Sequence, residues 1–81
     1  MRLDKYLKVS RLIKRRTIAK EITDNGRVEV NGKIAKPSEE VKIGDIITLH
    51  LNNRTLEVKV LQIKDYVKAD EASTLYEFVN K

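Results

Sequence analysis

The chain has 81 residues, which is enough for one domain with its own core and too few for two. It contains no cysteine, so disulfides, thiolate metal sites and thiol nucleophiles are excluded. Its 17 lysines and arginines against 12 acids give a net charge of +5, which favours a polyanionic partner. No apolar run exceeds three residues, so no membrane span is expected.

The bases are concentrated near the N-terminus. Residues 1–20 contain eight lysines and arginines and one acid, Asp4, for a local charge of +7. Residues 21–81 hold nine bases and eleven acids, for a local charge of −2. This separation indicates a focused contact with a polyanion, and the alternative is a basic helix face that is simply solvated.

The first helix is predicted over residues 2–9. Leu3, Tyr6 and Leu7 recur at the spacing of one helical face and supply its apolar stripe. Core packing is the expected role of Tyr6, and the alternative for its ring is stacking on a nucleobase. The residues from Ser10 to Ile13 are expected to connect this helix to the next.

A second helix is predicted from Arg15 to Asp24, with Ile18, Ala19 and Ile22 on its buried side. Asn25-Gly26 ends this helix, because glycine accepts the left-handed conformation that closes a helix.

Cations crowd the first turn of the second helix. No residue of the usual capping type precedes it, and Lys14, Arg15 and Arg16 lie where the helix dipole disfavours positive charge. Each cation there is expected to cost roughly a few tenths of a kcal/mol. Since the same helix end attracts anions, an external phosphate explains these bases better than folding does.

From residue 27 onward the apolar period changes to two, which predicts β-strands. Residues 27–30 and 33–36 form a predicted hairpin across Asn31-Gly32, because both turn positions tolerate positive φ. Pro37 then breaks the ladder, since proline has no N–H to donate.

A second antiparallel pair is predicted from residues 46–51 and 55–63, across Asn52-Asn53. In the tail, residues 70–73 are expected to form a helical turn, and a final strand is expected to return to the core. The side chains expected in that return are Leu75, Tyr76, Phe78 and Val79. The fold class predicted is therefore α+β, with two N-terminal helices packed on a small, mainly antiparallel β-sheet.

Groups suited to catalysis or metal binding are sparse. His50 is the one histidine and alternates with Leu49 and Leu51 on a predicted strand, so a structural role is expected. One histidine without cysteine cannot build a Cys-His zinc site or a Cys-His dyad. The segment GRVEVNGK misses the phosphate-loop pattern, because five residues separate its glycines instead of four. We predict a binding protein that is not an enzyme and needs no metal or cofactor.

Four segments follow one another over residues 1–51: RLDKYL, SRLIKRRTIAKEI, NGRVEVNGKIAKPS and VKIGDIITL. In this order they resemble the S4 domain, a small RNA-binding module first described in a ribosomal protein of the small subunit. The resemblance implies an S4-type RNA-binding core over residues 1–51. Residues 52–81 would then be a C-terminal strand extension of the same single domain.

Two families of free-standing S4 proteins are similar to this chain: the RqcP (YabO) family of bacterial ribosome quality control and a heat-shock family. The compact length and the opening MRLDKYLKVSRLIKRRTIAKE look more like the RqcP family. That resemblance implies a monomeric, cytoplasmic, ribosome-associated factor that binds the obstructed large ribosomal subunit, with its 23S rRNA, and makes no membrane contact. It would stabilise peptidyl-tRNA in the P site while RqcH adds a C-terminal tail. The alternatives are heat-shock-type recycling of large subunits that carry nascent-chain tRNA, and a general structured-RNA or DNA-binding module.

The RNA-binding residues expected from the charge pattern and the resemblance share one chemistry, a cation able to meet phosphate. They are Arg2, Lys5, Arg11, Lys14, Arg15, Arg16 and Lys20. Arg2 and Arg16 match the family motif best, and Asp4 is expected to form a local salt bridge or cap. An A-form RNA surface would be read by shape and phosphates, with no turnover.

Overall fold

Two helices open the fold, close to their predicted positions. In the computed structural model, which describes residues 1–79, α1 spans Leu3–Val9 and α2 spans Arg16–Asp24. The three apolar side chains predicted for the stripe of α1 are fully buried. The spacing of apolar residues therefore positions the first helix correctly.

The buried side of α2 differs from the prediction. Ile18 is 43% exposed, whereas Ala19 and Thr23 are buried. The Thr23 hydroxyl donates a 2.6 Å hydrogen bond to the carbonyl of Ala19, so this polar side chain is satisfied inside its own helix. The expectation that Ile18 enters the core is wrong, because the fully buried positions of α2 are Ala19 and Thr23, four residues apart. Ile22 packs against the core as predicted and is partly buried.

Five strands form one sheet in the order β2-β1-β3-β4-β5, and every neighbouring pair is antiparallel. The strands are β1 Val28–Val30, β2 Lys33–Ile34, β3 Ile46–His50, β4 Thr55–Val60 and β5 Tyr76–Phe78. The α+β prediction with a mainly antiparallel sheet is confirmed. The β1–β2 turn has φ of 53° at Asn31 and 83° at Gly32, the two positive values that its sequence predicts.

Two strands end earlier than predicted, and each end has a local cause. After β2, the chain turns at Pro37, whose carbonyl accepts a hydrogen bond from Asp4 instead of continuing the ladder. After β4, the amides of Leu61 and Gln62 both donate to the carbonyl of Leu75, at 2.8 and 3.1 Å. Contacts distant in sequence therefore set both boundaries.

The tail completes the core from the far end of the chain. The predicted helical turn lies inside a 3-10 helix, Ala69–Leu75, and Leu75 at its end is fully buried. The hydroxyl of Tyr6 donates a 2.7 Å hydrogen bond to the carbonyl of Leu75, and burial raises the pKa of Tyr6. Tyr6 is thus a core residue. Phe78 is 56% exposed, so the expectation that it enters the core is wrong, and residues 80–81 of the predicted extension lie outside the described residues.

Candidate nucleic-acid interface

Arg2 is held by the loop of residues 37–41. It pairs with Glu40 as an isolated antiparallel bridge. The amides of Leu3 and Asp4 donate hydrogen bonds of 2.8 and 3.2 Å to carbonyls of this loop. Arg2 is therefore extended immediately before α1 and is fixed on both sides by main-chain contacts. No local sequence pattern indicated this pairing.

A buried carboxylate joins the two helices beneath the basic surface. Asp4 accepts hydrogen bonds from Arg2 Nε at 3.2 Å and from Arg16 Nη2 at 3.5 Å. Its side chain is 4% exposed, whereas those of Arg2 and Arg16 are 51% and 49% exposed. Asp4 therefore orients both guanidinium groups, while each arginine side chain remains about half exposed. The local salt bridge predicted for Asp4 is confirmed, and it is shared by two arginines.

The surroundings of Asp4 keep it charged. Burial by itself would raise the pKa of this carboxyl, but the hydrogen bond from Arg2 and the positive charge of Arg16 outweigh that effect. The backbone amide of Lys5 adds a further hydrogen bond of 2.8 Å. The net result is that the pKa of Asp4 lies below its usual range.

The first turn of α2 is as unusual in the structure as in the sequence. Arg15 precedes the helix in an extended conformation, and no side chain caps the helix end. The first turn contains no acid. Lys14 and Arg15 are exposed, and of these cations Arg16 alone reaches Asp4.

Arg11 follows α1 in a left-handed conformation with φ of 62°. Its amide donates a 3.1 Å hydrogen bond to the carbonyl of Lys8, which closes the helix. Glycine or asparagine is the usual residue at such a position, because a Cβ is disfavoured there. The fold thus tolerates backbone strain at an exposed arginine, a kind of strain that often accompanies functional positions.

Two clefts flank the arginine pair. The helix–loop cleft, of about 490 Å³, lies between Arg2, Lys20 of α2 and residues 34–38. The helix–tail cleft, of about 310 Å³, is formed by residues 65–67 and four bases. Those bases are Lys5, Lys8, Arg11 and Arg16.

The clefts divide the seven predicted site residues into two groups. Five of them line a cleft, whereas Lys14 and Arg15 line neither. Sequence reasoning omitted Lys8, Lys36 and Tyr66, which also line the clefts. The one sequence signal for Tyr66 as a site residue is its position between Lys64 and Lys68. Its exposure was not predictable from the sequence, because it depends on the path of the tail.

The outer face of the sheet has a different character. His50 pairs with Glu29 across neighbouring strands, in keeping with its predicted structural role.

Among residues 1–79 no cluster of three or more potential metal-ligating side chains occurs. No helix within the same residues has the length and apolarity to cross a membrane.

Comparison with known proteins agrees with this geometry. The model of the S4 domain matches residues 1–47 of the chain. The chain is 52% identical over 81 residues to the RQC P-site tRNA stabilizing factor of Streptococcus pneumoniae, covering 100% of this chain and 92% of that protein. It is 53% identical over 76 residues to the protein of the same name from Bacillus subtilis, covering 94% of this chain and 88% of that protein.

A solved structure is also similar. The trimeric heat shock protein 15 of Vibrio cholerae superimposes with a TM-score of 0.91 and 38% sequence identity. The match covers 98% of this chain and 81% of that one. The whole fold described above, including the tail strand, is therefore shared with a protein of known structure.

Proposed function

Because this chain belongs to the S4 domain family, and within it to the RQC P-site tRNA stabilizing factors, we propose that it binds the obstructed large ribosomal subunit and stabilises peptidyl-tRNA in the P site. During this step RqcH adds the C-terminal tail to the nascent chain. The protein acts by binding to 23S rRNA and tRNA, and it performs no chemistry itself.

One observation carries the RNA-binding role: Arg2 and Arg16 share a single buried carboxylate, and each side chain is still about half exposed to solvent. A guanidinium can grip a phosphate through two parallel hydrogen bonds. Two guanidinium groups oriented in advance lose less conformational entropy on binding than free side chains would. The clefts on either side suit a protein that sits between a tRNA and an rRNA helix.

The test is binding to large subunits that carry peptidyl-tRNA, measured by co-sedimentation at moderate salt. We expect Arg2→Ala and Arg16→Ala to weaken binding by about tenfold or more each, since a hydrogen bond to a charged group contributes roughly 1.5–3 kcal/mol. Lys59→Ala is the matched control. Lys59 is exposed between buried Val58 and Val60, so it lies on the sheet face away from the helices.

RqcH-dependent tailing in a purified system provides a second readout. Both arginine variants should reduce tail length, and the Lys59→Ala protein should not. Wild-type binding and tailing by both arginine variants, with the fold intact by circular dichroism, would contradict the proposed site.

The likeness to heat shock protein 15 favours one alternative, recycling of large subunits that carry nascent-chain tRNA. The two functions predict opposite fates for the tRNA. A stabilising factor should slow the release of peptidyl-tRNA from isolated large subunits in the presence of RqcH, whereas a recycling factor should leave the P site empty or accelerate its clearance. A filter-binding time course of labelled peptidyl-tRNA separates them.

A further inference from the structure

The helix–tail cleft is built from two parts of the chain that are distant in sequence. Lys5 Nζ of α1 forms a 3.0 Å salt bridge with Asp65, which ties the tail to the first helix. Val67 is 7% exposed and anchors the other end of this short segment. Tyr66, between these two anchors, is 79% exposed and lines the cleft. This wall lies beyond residues 1–47, the part matched by the S4 domain model.

The aromatic side chain of Tyr66 has no role in folding that the structure reveals. Within residues 1–79 the one close aromatic pair is Tyr76 with Phe78, so the Tyr66 ring has no aromatic partner there. A single exposed apolar residue is ordinarily unremarkable. Tyr66 differs because its ring borders a cleft that also contains Lys8, Arg11 and Arg16.

This combination matches the chemistry of an unpaired nucleotide. Proteins bind single-stranded nucleic acid by stacking bases on aromatic rings beside a basic groove that follows the phosphates. A cleft of about 310 Å³ lies at the lower end of the range for small-ligand sites, roughly 300–1,000 Å³, and suits one nucleotide better than a duplex. A protein partner is favoured less, because four bases and one acid line the cleft.

We propose that the helix–tail cleft binds one unpaired nucleotide of a structured RNA, with its base stacked on Tyr66 and its phosphate held by Arg11 and Arg16. The site rests on the proposed RNA-binding function and adds to it a contact with a base. Because any base offers a stacking surface, the contact selects unpaired over paired nucleotides and is tolerant of base identity. The RNA contributing the base is either a hairpin loop or a single-stranded end.

Three RNAs of equal charge test the site by fluorescence anisotropy and 2-aminopurine fluorescence. The first is a hairpin with 2-aminopurine unpaired in the loop, the second carries it in a 3′ single-stranded extension, and the third has it fully paired. Wild-type protein should prefer at least one of the first two over the third by about fivefold to tenfold and should quench its fluorescence. The quenched RNA identifies the source of the nucleotide.

Substitutions at position 66 isolate stacking from charge. Tyr66→Leu should abolish the preference for the unpaired nucleotide and the fluorescence quenching, without changing the salt dependence of binding or the melting temperature. Tyr66→Phe should behave like wild type in all four measurements. Arg2→Ala, which changes a residue outside this cleft, should weaken binding to all three RNAs alike.

The outcomes separate this site from the proposed function. If Tyr66→Leu binds and quenches like wild type while Arg16→Ala weakens binding, the stacking site is overturned and the RNA-binding function remains. If RNA binding is unaffected by Tyr66→Leu but purified RqcH no longer binds that variant, the surface is a protein contact and the nucleotide site is wrong. If neither Arg2→Ala nor Arg16→Ala affects any RNA, the proposed function fails together with the site.

Discussion

The helical side of the sheet and its outer face balance their charges in opposite ways. On the outer face, Glu29 meets His50, and Lys59 lies opposite Glu77 in the register of β4 and β5. On the helical side, Asp4 is the one acid among the first twenty residues and serves two arginines. The outer face therefore mixes both signs of charge, whereas the helical side retains a surplus of positive charge.

This difference shows which face is shaped by a partner. Mixed charges keep a surface soluble and create little long-range field. A one-signed surface repels itself in the free protein, and that repulsion is relieved when a polyanion binds. Changes on the helical side should therefore alter binding more than stability, and changes in the sheet should do the reverse.

The salt dependence of RNA binding should give the largest contrast. About four to six phosphate contacts predict a log–log slope of roughly −3.5 to −5.5, so affinity should fall by about 100-fold to 2,000-fold between 50 and 200 mM salt. Arg2→Ala and Arg16→Ala should each flatten the slope by about one unit, uniformly across RNA sequences. Anisotropy titrations with several RNA hairpins measure this. The slope for Lys59→Ala should match wild type, and a slope near zero for the wild-type protein would rule out a phosphate-based grip.

Gly32→Val, a change in the sheet, should lower stability more than it alters RNA binding. Gly32 has φ of 83°, and no atom beyond Gly32 and its two chain neighbours lies within 4 Å of the position a Cβ would take, so the cost comes from the backbone conformation. We expect the free energy of unfolding to fall by about 1–3 kcal/mol in urea titrations. Gly32→Asn is the control, because asparagine tolerates positive φ and should cost less. Lost RNA binding by a Gly32→Val protein of unchanged stability would mean that the turn itself touches RNA.

Asp4→Asn should alter both RNA binding and stability, and its effect on stability should depend on pH. The folded-state pKa of Asp4 is lowered, so its contribution to stability is complete above about pH 5 and is lost as pH falls through the usual range and below it. At pH 7 the variant should be less stable than wild type by about 1–2 kcal/mol, and the difference should shrink towards pH 3. Urea unfolding at several pH values measures it. Asp70→Asn, at an exposed position, is the control and should be close to wild type in stability at pH 7. A gap for Asp4→Asn that persists at pH 3 would argue against a charge effect at Asp4.

Arg11→Gly should give the smallest change in stability. Glycine relieves the strain at φ of 62° but adds freedom to the unfolded chain, so the free energy of unfolding should stay within about 1 kcal/mol of wild type. Loss of the guanidinium should still flatten the salt slope. Arg11→Val removes the same charge and adds a β-branched side chain at positive φ, so it should be clearly less stable. Equal stability of the two variants would mean that the left-handed conformation of this residue is not maintained in solution.

Local patterns predicted the elements of this fold well, and long-range contacts account for the misses. The spacing of Leu3, Tyr6 and Leu7 predicted α1, and Asn31-Gly32 predicted the first hairpin. The early end of β2 was not predictable, because it depends on main-chain bonds between the N-terminus and residues 37–41. Such bonds leave no periodic trace in the sequence.

In the candidate site, too, local patterns predicted part of the arrangement and long-range contacts account for the rest. Charge density predicted the basic surface, and the S4 resemblance singled out Arg2 and Arg16. The sharing of Asp4 by both arginines joins residues twelve positions apart, and the exposure of Tyr66 depends on how the tail crosses α1. Whether the seven predicted residues contact RNA stays a prediction, and the structure divides them into five that line clefts and two that do not.

The hydrogen bond between Tyr6 and the carbonyl of Leu75 also constrains the order in which the protein folds. It spans 69 positions, so the first helix to be synthesised waits for nearly the last described residues before its core contacts are complete. Contacts this distant slow folding, since a long loop must close before they contribute. During translation α1 would remain exposed, with its apolar stripe accessible, until the tail has been made. A chain shortened to the S4 core would lose this closure, so we expect it to populate a loosely packed state.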